Sequence, residues 1–291
     1  MTWDIRGKTV LITGATDGIG KAVAFILAKH GAILVVVSRD VERGERVVRE
    51  LRKRSNNNRI EMLVCDLARL SSVADCASEF ARRFDALHVL IHSAGVLSAV
   101  REEHEGIERT MAVNYFAPVL LTELLLPLMK QSSPARLIIV TSSMHKRGAI
   151  NLDMIDGRGH YDGMQAYSNS KLALMLYALH LSRVLSGSGI TVTTVHPGWI
   201  RTKLSTGMDK SLGIKKKFVQ WLRMRSPSYG AQSIVHLATS PDTDKMHGAY
   251  IIKNLPSDPQ PAARDHVLAE ALTARTKLLL RRYLALNGLG Q

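Results

Sequence analysis

Seven short runs rich in Val, Ile and Leu, separated by longer stretches of helical character, constrain this chain more than any other feature. They are Thr9 to Ile12, Ile33 to Val37, Ile60 to Val64, His88 to Ile91, Leu137 to Thr141, Thr191 to Val195 and Ala249 to Ile252. Several are continuously apolar rather than alternating, which implies burial on both faces and therefore a parallel sheet. Helices are expected near 18–29, 41–54, 71–84, 104–130, 166–186, 228–239 and 262–283. The alternation predicts an α/β fold, a doubly wound parallel sheet with helices on both faces. At 291 residues, length alone would allow two domains, but the rhythm runs on without a linker, repeat or low-complexity tract. A single domain over 1–260, followed by a helical tail at 261–291, is the expected organisation. The segments 144–165 and 201–227 break the rhythm directly after strands, where open α/β sheets place their ligand loops.

Composition narrows the class. The two cysteines, Cys65 and Cys76, exclude a disulfide scaffold and point to a reducing compartment. No uncharged apolar run reaches 18 residues, and the stretch around Val119 to Met129 contains Glu123 and Pro127, which suits a core helix. The first strand follows the N-terminus too closely for a separate hydrophobic leader, so a cytoplasmic location is expected. The net charge of +14 would suit anionic lipid, nucleic acid or a phosphorylated ligand. Aromatic residues make up only 5% of the chain and no nucleic-acid module is present, so no nucleic-acid partner is expected.

Thr13-Gly14-Ala15-Thr16-Asp17-Gly18-Ile19-Gly20 joins the first strand to the first helix. Glycines at 14, 18 and 20 would permit a tight turn, close approach of backbone to a pyrophosphate, and close packing of helix on sheet. The helix N-terminus then offers free N–H groups to phosphate. After the second strand stand Ser38 and Arg39 where an acidic residue would bind ribose hydroxyls. Arg39 suits a 2′-phosphate, so NADP(H) is preferred over NAD(H). Asp40 is a mild counter-signal and a good helix N-cap.

Thr-Gly-x-x-x-Gly-x-Gly has the spacing of the short-chain dehydrogenase/reductases, and the chain resembles that family over roughly residues 6–255. The resemblance implies a Rossmann-type fold, with Asp66 and Leu67 holding adenine. Ser93-Ala94-Gly95 occupies the place of the family's Asn-Ala-Gly, and the change to Ser93 puts in doubt one hydrogen bond that steadies the sheet centre. The same likeness assigns Ser143 as the catalytic serine, Asn114 as the holder of a helix bulge and relay water, and Pro197, Gly198, Ile200 and Thr202 as neighbours of the nicotinamide.

Tyr167 and Lys171 are four residues apart in a helical stretch, so they share one face. A phenol with a pKa of about 10 is a poor base at neutral pH, and a nearby ammonium would favour its phenolate. Tyr167 is accordingly the expected general acid/base, with Lys171 as its tuner and ribose anchor. Ser142 is the alternative to Ser143. His145 would border the substrate or lie in solvent, and His196 reads as a packed turn residue. A non-catalytic NADP-binding scaffold is the competing class; it predicts loss of the Tyr, Lys or Ser, and all three are present.

Within the family, Thr-Asp-Gly-Ile-Gly at 16–20, the interval of 24 positions from Ser143 to Tyr167, and Tyr-x-x-Ser-Lys-Leu-Ala at 167–173 resemble the retinol-dehydrogenase-like branch. That implies a small lipophilic carbonyl or alcohol substrate, and family habit implies a homodimer. On a helix from Ile214 to Arg225, Ile214, Phe218, Trp221 and Leu222 would form an apolar arc bordered by Lys215 and Lys217 and opposed by Lys216 and Arg223. Such a lid would also suit peripheral contact with an anionic membrane or lipid droplet. No metal ligand set is expected.

Overall fold

The computed structural model describes residues 3–200 and 225–285. Each βα repeat begins as the sequence suggests: β1 (Thr9–Thr13), α1 (Gly18–Lys29), β2 (Ile33–Ser38), α2 (Val41–Ser55), β3 (Ile60–Val64), α3 (Leu70–Arg83) and β4 (Val89–His92). A two-stranded hairpin follows, β5 (Glu103–His104) and β6 (Ile107–Glu108), leading into α4 (Arg109–Met111), a π-helical turn at Ala112–Phe116, and α5 (Ala117–Gln131). The second half holds β7 (Ala135–Val140), α6 (Gly163–Val184), β8 (Ile190–His196), α7 (Pro227–Thr239), β9 (Tyr250–Ile252), β10 (Leu255–Ser257) and α8 (His266–Ala285).

The hairpin corrects the expected helix at 104–130. Glu105 and Gly106 both adopt positive φ, 55° and 84°, as a tight two-residue hairpin turn requires. Glu108 then caps the helix by accepting from the Thr110 and Met111 amides, so helix begins at Arg109.

Strand order is β10-β9-β8-β7-β4-β1-β2-β3, parallel throughout except for the β9–β10 pair. The order reverses between β1 and β4, which pair with each other in parallel register and carry β2 and β7 on their outer sides, and this places a ligand crevice beyond their carboxyl ends. One core packs α3, α5, α6 and α8 on one face, and the other packs α1, α2 and α7 on the opposite face. The tail helix joins the first of these through Leu272, Leu280 and Leu284. The helical run Arg109–Gln131 is long and apolar enough to cross a membrane, yet 78% of its most apolar window is buried inside the fold. That burial is what a core helix shows.

Candidate active site

A cavity of about 920 Å³ lies at the carboxyl ends of the central strands. One end is made largely of backbone. Gly14 has φ +72°, and a Cβ there would lie 2.7 Å from the Ala94 Cα; a Cβ on Gly20 would lie 2.3 Å from the Gly14 carbonyl oxygen. Only glycine lets turn, helix and β4 approach so closely. Thr13 Oγ1 accepts from the Ser93 and Ala94 amides at 3.2 and 3.3 Å, tying β1 to β4 at the point where Ser93 replaces the expected asparagine. Thr16, Asp17, Gly18 and Ile19 line this end with Ser38, Arg39, Asp66, Leu67 and Gly95.

The adenosine end also holds a residue that the sequence reading missed. Arg43, on the first turn of α2, donates to Asp17 Oδ2 at 2.9 Å and to the Thr16 carbonyl at 3.3 Å, and it lines the cavity beside Arg39. Its position depends on the seating of α2: a Cβ on neighbouring Gly44 would lie 2.0 Å from Met62 Sδ. Asp40 caps the same helix by accepting from the Arg43 amide at 2.9 Å, in keeping with its reading as an N-cap. The Ser38 hydroxyl donates to the Asp40 carbonyl at 2.7 Å.

The chemical end is made of side chains. Tyr167 and Lys171 sit on one face of α6, both buried, with Lys171 Nζ 5.7 Å from the phenol ring centroid. Lys171 donates to the Val140 carbonyl at 3.3 Å, and its ammonium lies beside Gly95, where a Cβ would be in ordinary contact with Nζ at 3.6 Å. Burial pushes the Lys171 amine down to about 8 and the Tyr167 phenol up, while the Ser142 hydroxyl beside the phenol lowers it. The expected phenolate is thus not what the protein alone favours, because the same desolvation that brings the pair together penalises both charged forms.

Ser142 and Ser143 both line the cavity, but it is Ser142 whose hydroxyl faces Tyr167, while Ser143 is exposed at the start of a 3₁₀ turn, Ser143–Arg147. His145 holds that turn from behind. Fully buried, it donates from Nδ1 to the Ser142 carbonyl at 2.6 Å and meets the Tyr250 ring edge-on. It therefore neither lines the cavity nor lies in solvent. Asn114 sits in the π-helical turn, accepts from the Val96 amide at 2.8 Å, and donates to the Val96 carbonyl and to Ser170 Oγ, so it links α6 to the loop after β4. Pro197, Gly198 and Ile200 line the cavity with His196, whose imidazole burial pushes down to about 4. Thr202 and the basic amphipathic stretch from Ile214 to Arg223 lie outside the described residues.

The cavity joins a glycine-lined phosphate cradle to a Tyr/Lys/Ser cluster, and the short chain dehydrogenase family matches residues 8–212. The chain belongs to that family. It is 36% identical over 278 residues to dehydrogenase/reductase SDR family member 13 of Bos taurus, covering 94% of this chain and 74% of that protein. It is 37% identical over 275 residues to polyprenol dehydrogenase of Mus musculus, covering 92% and 82%. Retinol dehydrogenase 13 of Homo sapiens is 34% identical over 282 residues, covering 95% and 85%. These relatives place this short-chain dehydrogenase in the retinol-dehydrogenase-like branch, an oxidoreductase acting on alcohol and carbonyl groups. Among solved structures, an uncharacterized protein from Mycobacterium paratuberculosis superposes with a TM-score of 0.75 at 28% identity, covering 96% of this chain and 97% of that one. A short chain dehydrogenase from Escherichia coli CFT073 complexed with NADPH shares the fold, with a TM-score of 0.67 at 23% identity and 85% and 97% coverage.

Proposed function

We propose that this short-chain dehydrogenase uses NADP(H) in preference to NAD(H) to interconvert an alcohol and a carbonyl on a lipophilic substrate, with Tyr167 as general acid/base. The observation that carries the reading is a single cavity with Arg39 and Arg43 at one end and Ser142, Tyr167 and Lys171 at the other. The glycine turn fits a dinucleotide because Gly14 and Gly20 let β1, the turn and α1 close up tightly, with the N-terminus of α1 lining the cavity. Gly14, Thr16, Asp17, Gly18, Ile19 and Gly20 would hold the phosphates, Asp66 and Leu67 the adenine, and Arg39 with Arg43 a 2′-phosphate. Ser93 to Gly95, Pro197, Gly198 and Ile200 would hold the remainder. Bound there, the nicotinamide supplies or accepts hydride.

The protein's own work is proton transfer and orientation. A phenol that burial keeps protonated is the form that donates to a carbonyl oxygen as the carbon is reduced. Ser142 donates a hydrogen bond to the same oxygen as charge develops on it. Lys171 anchors ribose and, once charged, favours proton release from Tyr167, while Asn114 keeps α6 in register with the loop that carries Gly95. Names among the relatives, retinol and polyprenol dehydrogenases, support an apolar substrate body.

The test is turnover of a panel of retinoid, prenoid and simple aromatic aldehydes with NADPH and with NADH. Faster reduction with NADPH, falling by about 10²- to 10⁴-fold in Tyr167→Phe while the variant still binds NADPH, is the expected result. An unchanged rate removes Tyr167 from the chemistry, and equal use of NADH removes the 2′-phosphate reading.

A further inference from the structure

Acidic side chains are confined to one end of the cavity among the described residues. Asp17, Asp40 and Asp66, the acidic residues that line it among the described residues, all lie at the adenosine end. Each is engaged there: Asp17 pairs with Arg43, Asp40 caps α2, and Asp66 accepts from the Ala68 amide. The opposite end is lined by Arg109, Lys146 and Arg147 and by no acid among the described residues. Arg109 is neutralised, donating to both oxygens of Glu102 at 2.8 Å. Lys146 and Arg147 are not: among the described residues neither side chain meets a carboxylate.

Their place in the chain matters as much as their charge. Both sit on the 3₁₀ turn that Ser142 caps, and this turn is clamped by the two His145 bonds to the Ser142 carbonyl, from its ring at 2.6 Å and its amide at 3.1 Å. Gln165 secures the far end by donating to the Arg147 carbonyl at 3.1 Å. The turn that carries the Tyr167-facing hydroxyl therefore also fixes where the two cations start. With a rise of about 2 Å per residue, Lys146 begins on the order of 8 Å beyond Ser142. Between these polar points the wall is apolar, from Val113, Met144 and Met164.

We propose that the substrate is an amphiphile, an apolar carbonyl or alcohol bearing a carboxylate or phosphate roughly 8 Å or more from its reacting carbon, and that Lys146 and Arg147 receive that anion. This rests on the oxidoreductase reading above and names the substrate class for it. A cation pair that meets no carboxylate among the described residues, held on a clamped turn, is poised for charge-assisted hydrogen bonds. It also rejects nothing apolar, so a neutral analogue binds more weakly through loss of attraction alone.

Two measurements on the full-length protein decide it. In the first, 9-oxononanoate and its methyl ester are reduced with NADPH at low and high salt. The acid is expected to exceed the ester in kcat/KM by about tenfold, a difference of roughly 1.4 kcal/mol, at low salt. That ratio falls towards one in Lys146→Gln/Arg147→Gln and at high salt, while Arg281→Gln on α8 keeps it. In the second, decanoate, decyl phosphate and decanol are titrated calorimetrically into the protein with and without NADP⁺, which requires no turnover. Tighter binding of either anion than of decanol, weakened in the double variant, supports the proposal, and the stronger of the two identifies carboxylate or phosphate as the head group. An ester reduced as well as the acid, or decanol bound as tightly as both anions, overturns it. So does an anion preference that survives the double substitution, or a variant that loses binding only to phosphatidylserine vesicles. If neither aldehyde is reduced, the oxidoreductase reading fails on its own, and the calorimetry still decides whether the pair binds an anion.

Discussion

The adenosine end of the cavity is built from backbone, and the chemical end from side chains. At the first, Gly14 and Gly20 bring β1, α1 and the loop after β4 so close that a single added carbon would collide with main-chain atoms. At the second, Tyr167, Lys171 and Ser142 are brought together by helix α6 and a 3₁₀ turn, from positions up to 29 residues apart. The first end tolerates little change because backbone cannot move aside. The second carries its specificity in a few polar atoms kept in an apolar setting, at a cost in stability.

Four predictions sharpen that contrast, in descending order of expected effect. Ser142→Ala is expected to lower kcat by about 10²-fold, the scale of losing one donor to a developing oxyanion, whereas Ser143→Ala changes it by only a few-fold. Steady-state kinetics on the two variants checks the order, and the reverse ranking would return the role to Ser143. Gly14→Ala is expected to weaken NADPH by about 10- to 100-fold and to destabilise the fold by about 1–3 kcal/mol, because the added methyl lies 2.7 Å from the Ala94 Cα. Fluorescence titration and urea unfolding measure both; a variant that binds normally would mean the turn is looser than its contacts imply.

Lys171→Met separates function from stability. The folded pKa of about 8 lies below the ordinary 10.5, so the folded protein binds its proton less tightly than the unfolded chain. The resulting penalty is full below pH 8, shrinks as the pH rises towards 10.5, and is absent above it. Roughly 3 kcal/mol is the scale of the gain expected from Lys171→Met at pH 7, together with loss of turnover, and the gain should fade by pH 10. Urea midpoints for both proteins at the two pH values test the sign. The smallest effect is expected for Arg43→Gln, a reduction in NADPH preference over NADH of about tenfold or less, since its exposed ion pair with Asp17 is itself worth no more than about 1 kcal/mol. Competition binding with the two cofactors reads it.

Much of this was legible in the sequence because it is local. The glycine spacing, the strand runs and the Tyr-x-x-x-Lys pair each lie within a few residues, where turn and helix geometry allow few alternatives. The hairpin at Glu103–Glu108 was hidden because Glu105 carries positive φ in a position where glycine or asparagine would have announced a turn. Which of two adjacent serines faces Tyr167 could not be read from alternation, since β7 ends at Val140 and a different backbone takes over at Ser143. Arg43 escaped notice because its partner lies 26 positions away, and α2 must first seat Gly44 against Met62 and Ser38.

The order of residues alone determined that strands and helices would alternate, that a bare backbone turn would follow β1, and that a phenol and an amine would share one helical face. Each of these depends on periodicity or on the absence of a Cβ, properties a chain possesses before it folds. Tertiary structure decided which hydroxyl lies beside the phenol, that burial lowers the Lys171 amine to about 8, and that the acids lining the cavity among the described residues gather at its adenosine end. Those outcomes depend on desolvation and on distances between segments remote in sequence, and only packing sets either.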